Sequence, residues 1–123
     1  MKTIRELCAL SRGAVDDHFG KQRFKKSAVA FLKHLAYELA LDPSDYSIRW
    51  NPGAQAVTGD ATLHHERLYV TIGDEIGGML GLARRCNGRK DYAGGVNNPI
   101  LSHHDLDHVL LVCRQILRVQ EGQ

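Results

Sequence analysis

The sequence predicts one α+β domain: N-terminal helices, an antiparallel sheet of four to five strands, and a C-terminal helix, with the helices packed on one sheet face. Three observations carry that prediction. Apolar residues recur at helical spacing toward both ends of the chain, over about residues 4–41 and 103–119. Between them, apolar and polar residues alternate in short runs, as in half-buried strands. Glycine, proline and asparagine separate those runs, which is the punctuation of an antiparallel meander rather than of βαβ units.

The first helical pattern comprises Ile4, Leu7, Cys8, Ser11, Ala14, Val15 and Phe19, with Gly13 inside it and Gly20 expected as a left-handed stop. The second runs over about residues 21–41. Phe24, Ala28, Phe31, Leu32, Leu35 and Leu39 share one side, opposite Lys26, Lys33, His34, Tyr37 and Glu38. Asp42-Pro43 is expected to end it, because proline disfavours helical geometry at the residue before it.

Tyr46, Ile48 and Trp50 then alternate with Ser47 and Arg49 as a strand whose aromatic side packs on the core. Asn51-Pro52-Gly53-Ala54 is suited to a type II turn. An extended run follows to about His64, with a bend at Gly59, and His65-Glu66 turns the chain into Leu68, Val70 and Ile72. The four glycines in residues 73–81 read as a loop, and Leu80 to Cys86 as another strand. Asn87-Gly88 matches a type I′ hairpin turn, with Arg89 to Tyr92 as the returning arm and residues 94–99 as loop. Ser102 and Asp105 form a capping pair for a last helix whose apolar face is Leu106, Val109, Leu110, Cys113, Ile116 and Leu117.

Composition bounds the function. At 123 residues the chain has the length of a single domain over residues 1–123, and 43% hydrophobic with 24% charged residues argues against disorder. The longest apolar runs, Ala28–Leu32 and Val109–Cys113, are far shorter than the roughly 20 residues that span a bilayer. No signal-peptide pattern follows Lys2 and Arg5, so a cytoplasmic protein without a membrane partner is expected. Cys8, Cys86 and Cys113 form no CxxC pair, which speaks against a disulfide framework or a cysteine zinc site. The net charge of +2 does not by itself point to nucleic acid, although residues 84–91 carry four Lys/Arg against one Asp.

Candidate chemistry is sparse. His104 and His108 stand four apart on the last helix, a spacing that can share a metal, but the helical wheel turns them away from the apolar face. A polar helix start is the simpler reading, and no metal or cofactor is expected. Cys86 follows Arg85, whose charge could activate a thiolate, whereas Cys8 and Cys113 read as core thiols. The group Lys21, Arg23, Lys25 and Lys26 reads as a solvated helix start unless folding brings it beside Arg84 and Arg89. No Walker motif and no strand-to-helix GxGxxG is present.

The most informative stretch is RCNGRKDYAGGVNN, residues 85–98, preceded by Arg84. Arginine forks suit phosphate and carboxylate groups, and glycines let backbone N–H groups approach an anion. The candidate binding residues are Arg84, Arg85, Arg89, Lys90, Asp91, Tyr92, Asn97 and Asn98; no catalytic residue is assigned. This stretch resembles an R-C-x-G-R-K-D-Y-x-G-G-x-N-N motif of uncharacterised bacterial and phage accessory proteins with no established activity. The resemblance implies a phage or mobile-element setting. The expected function is non-catalytic binding of a macromolecule through a basic Asn-Gly hairpin, with protein favoured over nucleic acid. The alternative is a small enzyme whose Arg/Gly/Asn loop binds an anion, with Asp91 or a histidine as acid or base.

Overall fold

The computed structural model describes residues 18–52, 59–75, 78–88, 98–99 and 106–121. Helix α1 spans His18–Glu38, and a 3-10 turn at Pro43–Asp45 leads into the sheet. Strands β1 (Tyr46–Pro52), β2 (Gly59–His65), β3 (Leu68–Glu75), β4 (Gly78–Arg85) and the two-residue β5 (Asn98–Pro99) follow, and helix α2 spans Leu106–Glu121. The strands lie in sequence order and every neighbouring pair is antiparallel, which makes an α+β meander.

The period-2 pattern sets the sheet's inner face. Registry brings Ile48, Leu63, Val70 and Ala83 into one row and Trp50, Ala61, Ile72 and Gly81 into the next. Both helices cover this face, α1 over β1 and β2, and α2 over β3 and β4. Phe24, Phe31, Leu32 and Leu35 of α1 and Val109 and Cys113 of α2 join Leu63, Val70 and Ile72 in one buried cluster. Burial pushes the Cys113 thiol up to about 12, because the apolar surroundings disfavour the thiolate. Trp50 packs edge-on to Phe24 with ring centroids 6.1 Å apart, so the aromatic side of β1 does serve the core.

Several local expectations fail for physical reasons. Gly20 lies in the first turn of α1 rather than stopping a preceding helix; there its amide has no intrahelical partner to lose, so the glycine is tolerated. The helix ends before Asp42-Pro43. Ala40 takes φ 56°, its N–H donates to the Tyr37 carbonyl at 3.0 Å, and the Leu41 N–H donates to the Ala36 carbonyl at 3.0 Å. This is a Schellman ending with alanine at the left-handed position. Asp42 instead caps the 3-10 turn: its carboxylate accepts from the Ser44 N–H at 2.9 Å and the Ser44 hydroxyl at 2.8 Å, and stays below its usual pKa.

Pro52 still pairs with Gly59 at the end of β1, so it is not yet in a turn, and Gly53-Ala54 lies outside the described residues. Gly59 has φ 101°, in keeping with the expected bend. Glu66-Arg67, not His65-Glu66, forms the two-residue bend between β2 and β3. The glycine-rich loop is overturned as well, since Gly73 and Gly81 sit inside β3 and β4. A Cβ on Gly73 would stand 2.8 Å from the Asp60 Cβ, so glycine there answers a close cross-strand approach. The first helical pattern, Cys8, Ser102 and Asp105 lie outside the described residues.

Candidate binding surface

Alternation along β4 sends Arg84 and Arg85 to opposite faces of the sheet. Arg85 is exposed on the helix side, opposite Leu68. Arg84 is only 6% exposed on the other face, opposite Tyr69. Registry continues that row through His64 to Ser47, so four strands contribute one line of polar side chains.

Three members of the row interlock. The Arg84 guanidinium lies 4.5 Å from the Tyr69 ring centroid, a stacking distance favourable for a cation over a π face. Tyr69 meets His64 edge-on at 4.8 Å with an interplanar angle of 85°. His64 is 5% exposed, and its Nε2 lies 3.0 Å from the Gly88 carbonyl oxygen, so a proton there donates to that carbonyl.

The chain leaving β4 is tied down further. The Cys86 N–H donates to the Arg67 carbonyl at 3.2 Å, and the Gly88 N–H to the Glu66 carbonyl at 2.7 Å. The Cys86 thiol is buried and donates to the His65 carbonyl at 3.0 Å. Residues 86–88 therefore run beside the Glu66–Arg67 bend instead of turning back at Asn87-Gly88. Gly88 has φ 118° but Asn87 has no positive φ, which rules out the expected type I′ turn, where both central residues need it. The chain rejoins the sheet at Asn98, which pairs with Ala83, and Pro99, which pairs with Leu82.

Of the candidate binding residues, the structure thus places Arg84 as a buried element of the sheet, Arg85 as an exposed cation, and Asn98 at the returning strand. Arg89, Lys90, Asp91, Tyr92 and Asn97 lie outside the described residues. Arg84 and the basic start of α1 occupy opposite faces, so Lys25 and Lys26 form no single patch with Arg84. His104 is outside the described residues and His108 is half-buried rather than fully exposed. No group of three metal-ligating side chains is found among the described residues, and no helix among them is long and apolar enough to cross a membrane.

Sequence reading missed His64 and Tyr69 as partners of Arg84. The signal existed in the bend: two residues between strands fix which positions face each other, and a Glu66–Arg67 bend brings His64 opposite Tyr69. Comparison with known protein families, curated proteins and solved structures returned no match.

Proposed function

We propose that this chain is a non-catalytic binding protein that engages another macromolecule, a protein in preference to nucleic acid, through the connection between β4 and β5. The observation that supports this reading most is the fastening of that connection. It leaves the sheet held by Glu66, Arg67 and His64, and returns to the sheet by pairing Asn98 with Ala83. A segment held at both ends loses less conformational freedom on binding than a free one, which is how a rigid scaffold makes a loop into a recognition element.

Burial of Arg84 narrows the contact set to Arg85, Arg89 and Lys90, with Asp91, Tyr92 and Asn97 as further contributors. Arginine and tyrosine are enriched among interface anchors. The net charge of +2 favours a protein over a phosphate backbone. A phage or mobile-element setting rests on the motif resemblance alone. The enzymatic alternative is less well supported, because the described groups nearest in sequence to the segment are engaged structurally: His64 with Gly88, and the Cys86 thiol with His65.

The test is the pair Arg89→Ala and Lys90→Ala in one chain. The expected outcome is a melting temperature shifted by the equivalent of no more than about 0.5 kcal/mol, with loss of the proteins that the wild type captures from a bacterial lysate. A sharp fall in melting temperature with capture intact would make the segment structural and end the proposal.

A further inference from the structure

The opposite edge of the sheet carries a second feature. Strand β1 is the last in the order, and no described residue pairs with its outer side. Which groups point outward follows from the ladder. The Cys86 N–H bonds to the Arg67 carbonyl, so Leu68 and Arg85 form a wide pair and Leu68 turns its backbone polar groups toward β2. Carrying the alternation across the registry gives Ser47, Arg49 and Asn51 the bonds to β2. It leaves the N–H and C=O groups of Tyr46, Ile48 and Trp50 at the free edge. Pro52 agrees, since its missing N–H falls on the same outward set.

Along this edge runs an open groove of about 760 Å³ between the end of α1 and the start of β1. Leu41, Tyr46 and Ile48 line it, and Tyr37, 80% exposed, stands at its side. Lys33 is the one charged side chain among its lining residues. The helix that borders it, α1, carries five Lys/Arg (Lys21, Arg23, Lys25, Lys26 and Lys33) against the single acid Glu38.

We infer that the β1 edge and its groove are a docking site for an extended peptide bearing acidic side chains, added to the sheet as a further strand. The two-residue repeat of outward backbone groups matches another polypeptide strand and nothing in a nucleic acid backbone. The basic helix and Lys33 select the sign of charge. A second copy of this chain fits poorly: pairing β1 with itself would bring two such basic helices together, and like charges across an interface are costly. The site is distinct from the β4–β5 connection and does not depend on it.

The experiment pans a display library of random peptides, each about nine residues long to cover the strand, against the full chain. Selected sequences are then made synthetically and their binding mapped by amide chemical shifts. Enriched peptides should alternate in polarity and carry Asp or Glu, and they should shift the amides of Tyr46, Ile48 and Trp50. Lys33→Glu should weaken them by about fivefold. Ile48→Pro, which removes an outward N–H without touching the bonds to β2, should abolish binding, with folding checked by melting. If Ile48→Pro does not fold, the shift map and Lys33→Glu decide the matter. The inference is overturned if no peptide is enriched, if enriched peptides lack acidic residues or shift other amides, or if Lys33→Glu leaves their affinity unchanged. Competition by single-stranded oligonucleotides, or self-association through β1, would overturn it equally.

Discussion

The two faces of the sheet bury comparable side chains by different means. On the inner face, Leu63, Val70 and Ile72 are wholly buried beneath two helices, and the stabilisation scales with apolar area removed from water. On the outer face, Thr62, His64 and Arg84 are also almost fully buried, yet they are polar. Burying such groups is unfavourable unless each finds a partner. His64 and Arg84 do so through Tyr69 and Gly88. The difference teaches that the inner face stabilises the fold generally, whereas the outer face fixes the exit of one segment.

Neighbouring residues of β2 give the strongest way to break that contrast. Leu63→Ala should cost about 3 kcal/mol, the ordinary cost of an aliphatic core truncation. His64→Ala, one residue on and facing the other way, should cost about 2 kcal/mol by removing the donor to the Gly88 carbonyl and the edge contact to Tyr69. Both values come from denaturant titrations. A cost for His64→Ala within about 0.5 kcal/mol would mark the outer face as an ordinary solvated surface and erase the distinction.

These contrasts also show what the sequence made legible. Period-2 alternation identified the inner residues of β1, β2 and β3, because one side of each strand is apolar throughout. It could not identify the outer row, since His64, Tyr69 and Arg84 are polar residues at positions that normally face water. Their burial depends on registry between strands, and registry was misjudged once the β2–β3 bend was placed one residue early. The β3–β4 hairpin was lost for another reason. Glycine weakens a strand when isolated, but at Gly73 the neighbouring Asp60 leaves room for nothing larger. For the candidate site, the charge cluster itself was legible, but the division of labour between Arg84 and Arg85 was not. Two adjacent arginines look alike in sequence and part company only when a strand alternates them.

A smaller effect sharpens the comparison from outside the sheet. Ala40 holds a left-handed φ of 56° at the end of α1, where glycine has no steric penalty. Ala40→Gly should therefore raise stability by up to about 1 kcal/mol, seen as a higher melting temperature. A loss of stability would mean that the Schellman ending does not form in solution.

The central claim is that the β4–β5 connection is fastened to the sheet at its start, and amide hydrogen exchange at Gly88 tests it most directly. The Gly88 N–H donates to the Glu66 carbonyl at 2.7 Å, beyond the last residue of β4. The account predicts that the Gly88 and Cys86 amides exchange as slowly as sheet amides such as that of Val70, and that His64→Ala speeds Gly88 selectively. Exchange of Gly88 at the rate of an unprotected amide in the wild type would contradict the account.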